Sequence, residues 1–144
     1  MGAELRVAFR WQRHPGGRPT ETLRALAVAV LGRVGVQRGE VGVLVCDDAT
    51  IRHLNSHFRR KDRATDVLSF PGGFDQPDGP PYLGDIAISL ETAARQAVEA
   101  GVELEREMQL LLLHGLLHLC GYDHEADDGE MEALEARLRG ELLP

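Results

Sequence analysis

The stretch HGLLHLCGYDH, His114 to His124, holds three of the six histidines of this 144-residue chain. A neutral imidazole offers a nitrogen lone pair, so clustered histidines either satisfy one another in a core or hold a metal. On an α-helix each residue turns by about 100°, which places His118 about 40° round from His114 and one turn above it. Both rings then face one place. Gly121 follows three residues after His118, where a left-handed glycine commonly ends a helix and turns the chain back, and that return brings His124 over the same face. Three nitrogen donors with a fourth position open is the arrangement of a catalytic zinc, because structural zinc sites normally close with four protein ligands. One Zn2+ ion held by His114, His118 and His124 is therefore expected, although nickel, copper and iron accept the same donors. Cys120 falls about 200° from His118 on the helical wheel, faces the core, and is excluded as a ligand. His53 and His57 share the four-residue spacing but lie opposite Ile51, Leu54 and Phe58, on an exposed face.

The spacing HxxxHxxGxxH is also that of the metzincin metalloproteases, with one departure. Those enzymes carry Glu after the first histidine as general base, and here the residue is Gly115. A peptidase mechanism then lacks its proton acceptor, while a Lewis-acid metal still serves hydrolysis of another substrate.

The elements that must position these residues can be read from periodicity. Leu5, Val7 and Phe9 alternate with polar neighbours up to Trp11, the pattern of a half-buried strand. From Thr20, apolar residues at three- and four-residue intervals predict a helix stopped by Gly35. Val41 to Cys46 reads as a strand, and Asp47 or Asp48 caps a helix with Ile51, Leu54 and Phe58 as its apolar stripe. Asp66 to Phe70 and Asp85 to Ile88 read as two further strands. With four prolines and four glycines, the intervening PGGFDQPDGPPYLG is expected to be an irregular loop, a candidate lid or binding loop. Helices follow from about Ser89 to Ala100, Glu103 to Cys120, and Asp127 to Arg139, the last with capping-box spacing between Asp127 and Glu130. The helix carrying the histidines is apolar nearly all round from Met108 to Cys120, which belongs inside a fold. The expected class is α+β: a small mixed four-stranded sheet packed with helices around a central apolar helix that carries the metal site.

Length and composition agree with one domain over residues 1–144, large enough to bury its own core. Apolar residues make up 43% and charged residues 27%, ordinary for a globular protein. Two cysteines are too few for a disulfide framework, no secretory h-region opens the chain, and no run approaches the roughly 20 apolar residues of a membrane span. A cytoplasmic protein with no membrane partner is the expectation. The net charge of −7 hides an asymmetry: residues 1–63 hold 12 Lys and Arg against 6 Asp and Glu, and residues 64–144 hold 4 against 17. The basic half can supply phosphate contacts, because screening makes the local field the relevant one.

Three blocks together resemble one family. HGLLHLCGYDH, LNSHFRRKDRATDVLSFP at 54–71 and LGDIAIS at 83–89 are similar, in the same order, to the YbeY-type endoribonucleases, bacterial rRNA maturation factors. The resemblance spans about Val41 to His124. It implies a zinc-dependent, single-strand-specific endoribonuclease of 16S rRNA 3′-end maturation and ribosome quality control, with ribosomal RNA, the small subunit and assembly factors as partners. It carries the metal ligands to His114, His118 and His124, with His114 also catalytic, and the family's important arginine to Arg59. Arg60 stands where that family often has glycine. Phosphodiester cleavage builds charge on non-bridging oxygens, which a metal and a guanidinium both stabilise. Arg52, Arg59, Arg60, Lys61 and Arg63 form a basic cluster that reads as a track for RNA or as a solvated face. Arg60, Lys61 and Arg63 are accordingly candidate substrate-binding residues. Asp85, after Gly84 at the start of a strand, is another, as an orienter of an imidazole, a contact to substrate, or a plain cap. Two alternatives stand beside the nuclease: a metallopeptidase-like hydrolase using a distant carboxylate, and a non-catalytic ribosome-assembly module with a structural metal.

Overall fold

A computed structural model describes residues 4–15, 19–123 and 128–144. The described elements run β1 (Glu4–Trp11), α1 (Thr20–Arg33), β2 (Arg38–Cys46), α2 (Asp48–Arg59), β3 (Val67–Gln76), β4 (Gly79–Ser89), α3 (Leu90–Ala100), α4 (Leu104–Leu119) and α5 (Glu130–Leu142). The four strands form one mixed sheet in the order β1-β2-β4-β3. β1–β2 and β2–β4 are parallel, and β3–β4 is antiparallel. The class is thus α+β with a small mixed sheet and, among the described residues, five helices.

Strand alternation divides the side chains between two faces. Val7, Val41, Val43, Val45, Ile86 and Ile88 join the larger core with α1 and α4. Cys46, Leu68 and Ala87 face the other way, and Ile51 and Leu54 of α2 cover them. Helix α4 packs against β3, β4, α1, α3 and α5. Met108, Leu112, Leu113, Leu116 and Leu117 are fully buried along it, each leucine contributing about 1.5–3 kcal/mol relative to exposure. Local signals start and stop the helices. The Asp47 carboxylate accepts from Thr50 N–H at 2.8 Å at the start of α2, and Ser89 Oγ accepts from Thr92 N–H at 3.3 Å at the start of α3.

Several expectations are corrected. Most of the segment PGGFDQPDGPPYLG is not an irregular loop: it extends β3 and β4 into a hairpin that turns at Pro77 and Asp78. The prolines are tolerated because β3 is the sheet edge, and because Pro80 and Pro81 precede Tyr82, where pairing with β2 begins. Register shifts between Pro71 and Phe74 and between Phe74 and Gln76 absorb the irregular composition. Helix α5 starts at Glu130, with Gly129 at its cap position; Asp127 lies outside the described residues. Phe58 continues no buried stripe, being 62% exposed.

One glycine fixes how the end of α4 meets the sheet. Gly84 has φ +143, and a Cβ there would lie 2.8 Å from Leu119 Cδ2 and 2.9 Å from the backbone nitrogen of Gly72. Only glycine lets the end of α4 rest on β4 at this point.

Candidate active site

His114 and His118 project from the last two turns of α4, both half-buried. Their Nε2 atoms are 3.1 Å apart, and the rings meet edge to face at a centroid distance of 4.7 Å. The helix ends one residue later: Gly121 has φ +95, its N–H donates to the His118 carbonyl at 3.0 Å, and Tyr122 N–H donates to the Leu117 carbonyl at 3.1 Å. The left-handed glycine turn therefore forms where the spacing places it. His124 lies outside the described residues, and among the described residues no cluster of three or more His, Cys, Asp or Glu side chains is arranged to hold a metal.

The two imidazoles present can be tested against zinc. With Zn–N bonds of about 2.0–2.1 Å, a tetrahedral zinc holds two of its nitrogens about 3.3 Å apart. The observed 3.1 Å is close to that, and neutral imidazole nitrogen is a donor zinc accepts. The donor pair fits the ion.

The other ring nitrogen of His114 meets Glu135 of α5, with Nδ1 at 3.1 and 3.2 Å from the two carboxylate oxygens. The hydrogen bond that this carboxylate accepts contributes most to holding the His114 pKa above its ordinary value; burial opposes it, and the charges of Glu135 and Asp66 add to the rise. Glu107, also on α4, is raised mainly by burial and then by Asp66.

A cavity of about 420 Å³ opens beside the histidines. Arg59, Lys61, Arg63, Asp66, His114 and His118 are among its lining residues. Arg59 ends α2, and its Nη1 donates to the Ser69 carbonyl at 3.4 Å. Lys61 and Arg63 reach the cavity on a short segment shaped from behind. The buried Asn55 donates from Nδ2 to the Arg63 carbonyl at 3.0 Å and accepts Lys61 N–H on its own carbonyl at 3.2 Å. Arg52 grips Asp62 with two bonds, at 2.8 and 3.2 Å. Arg52 is therefore a clamp on this segment.

Two expected substrate residues fall elsewhere. Arg60 is outside the cavity lining and caps α2 with φ 57, the one left-handed non-glycine residue among the described residues. That conformation explains why glycine suits the position. Asp85 lies on the opposite sheet face, in a separate cavity of about 610 Å³ with Arg10, Leu44, Phe58 and Phe70. It accepts the Tyr82 hydroxyl, and burial first, then Asp85, holds the phenol above its ordinary range. Strand parity is the reason: Ile86 and Ile88 face α4, so Asp85 cannot.

Gly115 has a packing reason to be glycine. A Cβ there would sit 3.1 Å from Ile86 Cγ2 and 3.3 Å from both Ser69 Oγ and Val67 Cγ2. The protease glutamate has no room between α4 and the sheet. His53 and His57 are exposed, their rings stacked at 6.1 Å. Residue type and spacing alone do not single out Asn55, Ser69 or Glu135 in the sequence. For Asn55 and Glu135 a signal existed, since each is a polar residue on the buried stripe of its helix, beside Ile51 and Leu54 or beside Met131, Leu134 and Leu138.

A profile of the endoribonuclease YbeY family matches residues 18–142. The chain belongs to the endoribonuclease YbeY family. Relatives named Endoribonuclease YbeY include that of Koribacter versatilis, 54% identical over 105 residues, which are 73% of this chain and 66% of the relative. Those of Bradyrhizobium diazoefficiens and Geobacter sulfurreducens are 43% and 44% identical over 99% and 94% of this chain, and over 81% and 91% of their own lengths. The match spans just under two thirds of the Koribacter protein and 63% of that of Solibacter usitatus. The fold of this YbeY-family chain is similar to that in the solution structure of a Thermotoga maritima protein, with a TM-score of 0.64 and 28% identity over 96% of this chain and 88% of that one. No described helix of this YbeY-family chain is long and apolar enough to cross a membrane.

Proposed function

We propose that this chain is a zinc-dependent endoribonuclease that cuts single-stranded RNA, with His114, His118 and His124 as the zinc ligands and Arg59 on the scissile phosphate. The observation that carries the reading is the cavity in which Arg59, Lys61 and Arg63 line the same walls as His114 and His118. Three cations beside two imidazoles suit an anionic substrate, and phosphate is the anion for which a guanidinium is best shaped. Family membership supports RNA as that substrate.

When bound, zinc supplies a Lewis acid that draws charge from a phosphate oxygen. The remaining work falls to the chain. Arg59 holds two non-bridging oxygens through its planar fork while its bond to the Ser69 carbonyl keeps the side chain across the cavity. Lys61 and Arg63 attract the flanking phosphates, and the clamps from Asn55 and Arg52 keep those charges in place before substrate arrives. The Asp66 carboxylate, on the cavity wall, accepts from Val67 N–H at 2.7 Å and from Gln96 Nε2 at 3.2 Å. Gly115 speaks against the peptidase reading, because its packing leaves no space for a base at that position.

By the same reading the substrate is ribosomal RNA of the small subunit at the 16S 3′ end, with assembly factors as partners, in the cytoplasm. The experiment is cleavage of an end-labelled RNA offered single-stranded and as a duplex, with and without chelator. Cleavage of the single strand only, lost with chelator and restored by zinc, is the expected result; chelator-resistant cleavage or metal-dependent peptide cleavage in its place refutes the reading.

A further inference from the structure

Glu135 is the one acidic side chain on the buried stripe of α5, where Met131 and Leu138 are fully buried. A carboxylate placed there costs free energy unless it is hydrogen-bonded. It approaches Nδ1 of His114 with both oxygens, at 3.1 and 3.2 Å, and the two side chains are only 28% and 22% exposed. An ionised carboxylate has no hydrogen to give, so the hydrogen in this contact belongs to Nδ1. A neutral imidazole carries one hydrogen. With Nδ1 occupied, Nε2 is the bare nitrogen, and Nε2 is the atom that faces His118 at 3.1 Å.

We propose that Glu135 is a positioning residue: by taking the Nδ1 hydrogen of His114 it fixes the tautomer and ring orientation that present the Nε2 lone pair to the metal. The inference rests on the zinc reading above and adds to it a residue from a different helix. The carboxylate raises the basicity of the nitrogen on the far side of the ring, and the α5 anchors Met131 and Leu138 hold it at a fixed distance from α4. The packing of α5 and the strength of metal binding thereby become coupled.

The test is the zinc affinity of the full chain, measured by competition with a chromophoric chelator, for wild type, Glu135→Gln and Glu135→Ala. The thermal midpoint of each metal-free protein is measured alongside. Expected are a loss of zinc affinity of about 10- to 100-fold in Glu135→Ala, a smaller loss in Glu135→Gln, whose amide oxygen still accepts from Nδ1, and an unchanged stoichiometry. Affinities within twofold of wild type for both variants, with or without a lowered midpoint, would overturn the inference and leave Glu135 as a structural tie. Wild type that binds no zinc refutes the zinc reading itself. Should the variants fail to fold, nitrogen NMR of the metal-free wild type, read at a pH where the His114 ring is neutral, decides: a hydrogen on Nδ1 of His114 supports the role, and a hydrogen on Nε2 overturns it.

Discussion

The hydroxyl of Ser69 donates to the carbonyl of Gly115 at 2.9 Å, while the carbonyl of the same serine accepts from Arg59 at 3.4 Å. One residue of the edge strand thus ties the helix that carries the histidines to the arginine at the end of α2. The separation of cation and imidazoles is set by β3, and the expected consequence is that Ser69→Ala loses more activity than stability. Removing the hydroxyl costs about 0.5–1.5 kcal/mol of folding free energy. Denaturant unfolding compared with RNA cleavage at a temperature where both proteins stay folded checks this.

Gly115→Ala is expected to destabilise by about 1–3 kcal/mol, because the new methyl group lies 3.1–3.3 Å from Ile86, Ser69 and Val67 in a packed interior. Gly115→Glu is expected to be worse, burying a carboxylate against two aliphatic side chains, and to gain no peptide cleavage. Urea midpoints and a peptide substrate panel report the two outcomes.

Arg59→Lys keeps the charge and loses the fork. If the guanidinium grips two phosphate oxygens, the variant loses about 1.5–3 kcal/mol of transition-state stabilisation, roughly 10- to 150-fold in kcat/KM. Steady-state cleavage rates with a short single-stranded RNA measure it, and unchanged zinc content shows that the metal site is intact.

These residues differ in how far the sequence exposed them. His114 and His118 were legible because helical periodicity fixes their shared face, and Gly121 because a left-handed turn demands glycine. Arg59 came from the resemblance, since nothing in charge alone separates it from Arg52, which the structure uses to clamp Asp62. The position of Asp85 away from the histidines was not legible, because alternation shows that it opposes Ile86 without showing which face α4 covers. The β3–β4 hairpin was hidden by prolines that only an edge strand or the unpaired start of a strand tolerates. Glu135 sits on another helix, 21 residues from its histidine, a distance that local pattern does not bridge.

Acid should weaken the start of α2 by a definite route. Hydrogen bonds from Thr50 first, and then Arg13, lower the Asp47 pKa to about 2. A carboxylate lowered in the folded state contributes stability that is complete above its ordinary value near 4 and is lost as pH falls toward about 2. The stability difference between wild type and Asp47→Asn should therefore be constant at neutral pH and shrink between about pH 4 and pH 2. Urea unfolding across that range checks it.

The most direct test of a zinc-dependent nuclease joins metal content to RNA cleavage in the same preparations of wild type, His114→Ala and Arg59→Ala. Expected are one zinc per chain in wild type and in Arg59→Ala, a marked loss of zinc in His114→Ala, and cleavage of single-stranded RNA by wild type alone. Cleavage that survives in both variants, with contaminating nuclease excluded, would contradict the assignment.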